Sequence, residues 1–420
     1  MSELTKSRAR KIIEVVGASG TPPEWGVQFF TSGLEPYLNV LKEDYLDSFI
    51  KDGGSSFKMV VGNYGGGKTH FLYNIREIAW QHNYLVAYCP LTHEESPFYQ
   101  LEKVFRSVVV NLMYPMTPDE LLSGGEKGIE AFMRTYVSMM QHELEEAGNE
   151  SDAIREQMYA IVRDSTTNIE NANFARAVRA AMNALIEGHD DDFENVVQYL
   201  KTDGYSSHIH RQYGILQNIG RSQAFTMLRS LNQWIRNLRY SGLVILFDEA
   251  EMVVSMNTKQ KQAVLANLRE LVDQCGQASL KNTMIFYAVP NDNFLKGSAH
   301  VYEALRQRVA TVFHYMNPTG VRIKLDSLVD NPKQFLQDVG FKLFDVYEAA
   351  YEIKIDEMTR KKLLEPLADA ALEMRFGESG YMRPFVQGLI TLLHMMRRDP
   401  NTKLDSENIR RLVPGGSDVD

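Results

Sequence analysis

Apolar positions change their period several times along the 420-residue chain, and each change marks an element. Residues 8–16 read as a short helix that Pro22-Pro23 ends, because proline lacks an N–H and fits no helix interior. Between positions 34 and 50, Leu38, Leu41, Tyr45, Leu46 and Phe49 recur at roughly helical spacing. Gly53-Gly54-Ser55-Ser56 breaks that pattern, and 57–61 follows as a short strand. A helix over 70–82, a buried strand over 84–91 and a helix over 97–113 come next.

From about Tyr114 to Arg221 the texture is polar-rich and amphipathic, without a strong strand signal. Phe174, Val178, Ala181 and Leu185 share one helical face, and 190–200 forms another short helix, so the stretch predicts an all-helical insert. Strand character returns at 243–247 and 283–289, with a helix over 259–274 between them. Beyond Pro318 helices are expected at 332–352, 356–376 and 382–397. No repeat of fixed period occurs. The expected organisation is a helical lead-in (1–56), an α/β core (57–113 and 222–317), the helical insert (114–221), a C-terminal helical lid (318–412) and a disordered tail (413–420).

Composition narrows the class. A chain with 44% hydrophobic and 24% charged residues is ordinary globular material. No run reaches the ~18 apolar residues of a transmembrane helix, and the basic N-terminus lacks the apolar stretch of a signal peptide. Cys89 and Cys275 are too few and too distant for a disulfide framework or zinc site, so a reducing cytoplasm is the expected compartment. The net charge of −9 argues against broad non-specific nucleic-acid binding, while leaving room for a local basic patch. Methionines and tyrosines are spread along the chain as core and interface filling.

Chemistry enters with Gly62-Asn63-Tyr64-Gly65-Gly66-Gly67-Lys68-Thr69, which fits the phosphate-loop spacing G-x-x-x-x-G-K-[ST]. Glycines let backbone N–H groups turn inward around phosphates, Lys68 reaches the β- and γ-phosphates, and the Thr69 hydroxyl coordinates Mg²⁺. The helix that follows, with His70 in its first turn, points its positive end at the same anion. Such a loop predicts an acidic motif on a neighbouring strand, and Leu243-Val244-Ile245-Leu246-Phe247-Asp248-Glu249 supplies one. Asp248 is expected to help hold Mg²⁺ and Glu249 to polarise the attacking water, with Glu251 the less favoured alternative. No guanine-reading N-K-x-D follows the acidic strand, so ATP is the expected nucleotide. Leu122-Ser123-Gly124-Gly125-Glu126 resembles the signature of ABC-transporter ATPases but stands far upstream of Asp248; it reads as a polar turn capping a helix from Glu126. His208-Ile209-His210 lacks a nearby carboxylate and reads as exposed loop.

Further segments resemble the AAA+ ATPases. The strand 283–289 followed by Pro290-Asn291 is similar to the AAA+ strand that ends in a polar sensor; the resemblance implies that Asn291 bonds the γ-phosphate or lytic water. Ala304-Leu305-Arg306-Gln307-Arg308-Val309 is similar to the segment holding an arginine finger, with Arg308 the better fit and Arg306 second. Gly380-Tyr381-Met382-Arg383-Pro384 looks like a second sensor at the start of a lid helix, from which Arg383 would reach the γ-phosphate. An exposed basic helix face and a surface arginine are the competing readings of these two segments.

Three segments together point more narrowly: Pro22-Pro23-Glu24-Trp25-Gly26-Val27, the phosphate loop with His70-Phe71-Leu72, and 242–251. They resemble the bacterial P-loop family that includes the ATP-binding protein of BREX anti-phage defence systems, of the BrxD type, over roughly 20–400. That family is related in architecture to the origin-recognition branch of AAA+ proteins. The resemblance implies an ATPase that uses Mg²⁺, assembles with copies of itself, and works beside a helicase or DNA-modification protein, with DNA as a further partner and no membrane. A loader associated with DNA, a nucleotide-gated switch or scaffold with slow hydrolysis, and a DNA-binding module regulated by ATP are the three functions to be separated.

Overall fold

A computed structural model describes residues 3–92, 96–249, 256–291, 300–329, 331–373, 380–399 and 404–413. Glu251 and most of the expected tail, from 414 onward, lie outside the described residues.

Six strands form one mixed sheet: β1 (Ser55–Val61), β2 (Tyr84–Pro90), β3 (Leu112–Met113), β4 (Gly242–Asp248), β5 (Thr283–Val289) and β6 (Arg322–Lys324). Their spatial order is β3-β2-β4-β5-β1-β6, and every pairing is parallel except that of β2 with β3. The register sets Pro90 beside Asp248 and Val61 beside Val289, so the C-terminal ends of β1, β2, β4 and β5 lie along one edge. β4 and β5 are buried along their whole length, as continuous apolar runs in a parallel sheet require.

Alternation along the strands divides the interior into two cores. Leu243, Ile245 and Phe247 of β4, with Phe57, Met59 and Tyr287, face the helices Leu101–Val110, Gly128–Glu146, Ala172–Glu187, Ala224–Asn237 and Thr258–Gly276. Val244 and Leu246, with Val60, Phe286 and Ile323, face the opposite way. There they meet the helix after the phosphate loop, Lys68–Gln81, and the N- and C-terminal helices. The polar-rich stretch after Tyr114 carries a series of helices whose apolar faces complete the first core.

Three expectations need correction. Residues 97–113 do not form one helix: it closes at Val110, and Leu112–Met113 turn back to pair antiparallel with β2. The chain after Pro318 is not wholly helical, because β6 pairs with β1 through Met59, Val60 and Val61. Three residues are too short to show a period, and their role is to cover β1's outer edge, which would otherwise leave ladder groups unpaired. Ser123 does not cap a helix from Glu126. It closes the helix Pro118–Leu122, its hydroxyl donating to the Asp119 carbonyl, and the next helix starts at Gly128.

The Pro22–Val27 motif has a physical role. Glu24 reaches the fully buried Arg76 of the Lys68–Gln81 helix at 2.9 Å and Lys127 at 3.4 Å. Trp25 is buried beneath the Arg8 guanidinium and edge-on to Phe29. Gly26 holds φ +98°, and a Cβ there would stand 2.4 Å from Ile12. The motif therefore locks the lead-in onto the phosphate-loop helix. The helix Lys6–Ser19 itself packs on the C-terminal helices Pro332–Tyr351 and Met382–Arg398, with Gln387 donating to the Ala18 carbonyl at 3.2 Å.

At the sheet's other edge Lys58 is buried inside β1, its ammonium donating to the Tyr45 hydroxyl at 2.7 Å and to the Pro318 and Gly320 carbonyls at 2.8 Å each. Burial pushes its amine down to about 7. Lys58→Met leaves both carbonyls without this donor and is expected to lower unfolding free energy by about 2 kcal/mol at pH 7. An unfolded lysine keeps its proton to higher pH than Lys58 does, so the folded wild type gains stability as pH rises from about 7 towards 10. Urea unfolding of both proteins at pH 7 and pH 9.5 should therefore show the gap widen at the higher pH; an unchanged gap contradicts the depressed amine.

Candidate functional site

Where β1 ends, the chain must leave the sheet and enter a helix within a few residues. Gly62 donates its N–H to the Val289 carbonyl at 3.2 Å, tying the loop to β5. Gly65 and Gly67 take φ values of +72° and +86°, which a side chain would oppose, and Gly67 caps the Lys68–Gln81 helix. The helix N-terminus, with the orphan N–H groups of its first turn, thus opens on the loop, an arrangement that attracts an anion. Lys68 is 7% exposed, and its ammonium folds back on the Gly62 and Asn63 carbonyls at 2.9 and 3.2 Å.

Asp248 arrives from β4 and is 1% exposed. A carboxylate so buried needs donors, and it has three. Thr69 Oγ1 stands 2.7 Å and Tyr88 Oη 2.8 Å from its Oδ2, while the Glu249 N–H donates to Oδ1 at 2.8 Å. Thr69 and Asp248 are 179 positions apart in sequence. Glu249 is exposed at φ +63° and lines the same cavity.

That cavity has a volume of about 500 Å³. One end is the loop from Asn63 to His70 with Asp248 and Glu249; the other is apolar, with Val16, Pro22, Phe30, Phe335, Val339 and Val386 among its lining residues. Arg383 enters from the C-terminal helices, its Nη1 donating to the Tyr64 hydroxyl at 3.0 Å and its guanidinium lying 4.9 Å over the Tyr64 ring. Gly380 donates its N–H to the Tyr64 carbonyl at 2.7 Å, and a Cβ at Gly380 would stand 2.6 Å from Gly65. The C-terminal helices therefore touch the loop directly. Arg383 Nε is a buried donor with no hydrogen-bond partner among the described residues. A polyphosphate fits these groups: the helix N-terminus, Lys68, and the unused Arg383 donor.

The remaining expected residues are placed as follows. His70 lines the cavity, but its Nε2 lies 2.8 Å from Thr31 Oγ1 and Phe30 packs at 5.1 Å from its ring, and burial pushes its imidazole down to about 4. Asn291, two residues past β5, follows the same sheet edge without lining the cavity. Arg308 is elsewhere. It pairs with Asp273 and lines a second cavity beside Ser55, Phe57 and Lys58, at the opposite end of β1. Seven residues of strand put about 20 Å between that end and the loop. Arg306 pairs with Glu303 at 2.8 Å. His210 is buried, bonded to Ser206 and to the Asn195 carbonyl, so it is a satisfied core histidine and not exposed loop.

Sequence reasoning passed over Tyr88, Tyr64's contact with Arg383, and the apolar wall from Phe335 and Val339. Only the first had a legible signal. With β2 and β4 side by side, Tyr88 shares its sheet face with Asp248 by the period of two. Among the described residues no cluster of three or more His, Cys, Asp or Glu side chains could hold a metal, and no helix is long and apolar enough to cross a membrane. Thr69 and Asp248 nevertheless offer the oxygen donors that Mg²⁺ takes when phosphates supply the rest.

Over residues 4–410 the chain matches the family of the BREX system ATP-binding protein BrxC/D, and it belongs to that family. No curated protein and no solved structure matches it. Membership makes it an ATP-binding protein of BREX defence and implies partnership with other BREX components.

The strained backbone at Glu249 yields a direct check. Glu249→Gly removes a left-handed conformation that costs a side chain about 1 kcal/mol. The variant is expected to unfold at higher urea than wild type; an equal or lower midpoint contradicts the strain.

Proposed function

We propose, from membership in the BREX ATP-binding family, that this chain hydrolyses ATP at the Gly62–Thr69 loop as an AAA+-like ATPase with a C-terminal lid. The observation that carries the reading is the 2.7 Å contact of Thr69 with Asp248 at the mouth of the glycine loop. The strand order supports it too. β5 lies between β1 and β4, so a residue just past β5 stands between the phosphate loop and the acidic strand.

Each residue then has a physical task. Backbone amides of the loop and helix cradle the phosphates, and Lys68 leaves its two carbonyls for the β- and γ-phosphates. Thr69 and Asp248 hold Mg²⁺, which supplies positive charge to the phosphate oxygens. Glu249 accepts the proton of the attacking water, and Asn291 orients that water or the γ-phosphate. Arg383 moves from Tyr64 to the γ-phosphate, carrying the lid with it. The apolar end of the cavity receives the base.

Arg308 acts on a neighbour. Its position at the edge opposite its own loop supports a finger reaching the nucleotide of a second copy, with Arg306 as the alternative. The assembled ATPase works with a helicase or DNA-modification protein of the defence system, as a loader associated with DNA. A second reading is a nucleotide-gated switch with slow hydrolysis. The direct contact of Gly380 and Arg383 with Tyr64 favours it, since any phosphate entering the loop must disturb the lid.

Phosphate release and fluorescent-nucleotide binding test the assignment. Lys68→Ala is expected to lose ATP binding, and Arg308→Ala to lower turnover by about 10³-fold while its ATP affinity stays close to wild type. ATP binding unaffected by Lys68→Ala contradicts the loop assignment. Lost ATP binding in Arg308→Ala with unchanged oligomerisation contradicts a finger acting in trans.

A further inference from the structure

The hydrogen bonds around Asp248 include one that the proposed hydrolysis does not use. Tyr88 comes from β2, the strand beside β4, and its register partner is Leu246, two residues before Asp248. From there its hydroxyl donates to Oδ2 at 2.8 Å, the same oxygen that Thr69 approaches at 2.7 Å. These two hydroxyls differ in what a metal would do to them. Thr69 is a ligand candidate whose oxygen turns to the cation, whereas Tyr88 has its ring fixed by Tyr73, at 5.2 Å between centroids. Tyr73 in turn lies 4.4 Å beneath the Arg76 guanidinium, which Glu24 holds at 2.9 Å. A continuous packed chain therefore runs from Asp248 through two tyrosines to the Glu24 lock of the lead-in.

We propose that Tyr88 is a positioning residue for the divalent-cation site: its hydroxyl holds Oδ2 so that the Asp248 carboxylate keeps its orientation when the Thr69 hydroxyl turns to the metal. The inference rests on the reading of Thr69 and Asp248 as the metal-holding pair. Outer partners of this kind typically change metal affinity by about 10- to 100-fold when removed. A tyrosine that served only to fill the core would leave metal affinity unchanged when its hydroxyl alone is deleted.

The test uses Mn²⁺ as the probe, its binding to the full chain saturated with ADP followed by electron paramagnetic resonance. Tyr88→Phe keeps the ring and is expected to bind Mn²⁺ about tenfold more weakly than wild type. Its affinity for fluorescent ADP in excess chelator should stay within about twofold. Tyr84→Phe, on the same strand with its hydroxyl on the Leu46 carbonyl, serves as the packing control and should bind Mn²⁺ as wild type does. Thermal unfolding of both variants checks that they fold. Equal Mn²⁺ affinity in Tyr88→Phe and wild type overturns the inference, as does an equal loss in Tyr84→Phe. Wild type that binds ADP but takes up no Mn²⁺ overturns instead the metal-holding pair on which the inference rests.

Discussion

A carboxylate buried to 1% exposure is costly unless donors surround it, and Asp248 is where the molecule meets that requirement. Its three donors come from three different places: Thr69 on the phosphate-loop helix, Tyr88 on β2, and the Glu249 amide at its own strand's end. Meeting the need of one charge therefore fixes the helix after the loop against β2 and β4 together. Oδ1 takes the Glu249 N–H at the residue where the backbone turns left-handed. The strain sits beside the group proposed to activate water, where preorganisation is worth more than stability.

The sheet separates two kinds of work. At its C-terminal edge lie the loop, Asp248, Glu249 and the contacts from the C-terminal helices. About 20 Å away, at the N-terminal end of β1, Arg308 and Lys58 line a second cavity. One face carries the lead-in and C-terminal helices, joined to each other and locked to the phosphate-loop helix through Glu24 and Arg76. The other face carries the long helical stretch, which shares its core with β4 and β5 but contributes nothing to the nucleotide-sized cavity. That stretch thus backs the site, while the lead-in and C-terminal helices contribute to its lining.

Legibility followed length and spacing. The turn from β1 into the Lys68–Gln81 helix was readable because its glycines and lysine fall at fixed positions, and β4 because a fully buried parallel strand is a continuous apolar run. Several long helices showed their period within one or two residues of their observed ends, Pro332–Tyr351 and Met382–Arg398 among them, whereas Gly128–Glu146, Ser151–Ser165 and Ala224–Asn237 were not delimited. Short strands did not: β3 and β6 owe their existence to a neighbour's edge, not to their own pattern. The wide second half of the 35–50 helix, where Ile50 donates to Tyr45 five residues back, leaves no trace in hydrophobic spacing either. The docking of Lys6–Ser19 on the C-terminal helices is a tertiary fact, and the period that sets Tyr88 beside Asp248 speaks only once β2 and β4 are neighbours.

The proposed hydrolysis gives Glu249 the step that turns bound ATP into ADP. The nucleotide recovered from the chain after incubation with ATP and Mg²⁺ and rapid desalting reports this most directly. Wild type is expected to retain ADP and Glu249→Gln to retain ATP, with similar total occupancy. ADP in equal proportion on both proteins, or intact ATP on both, would contradict it.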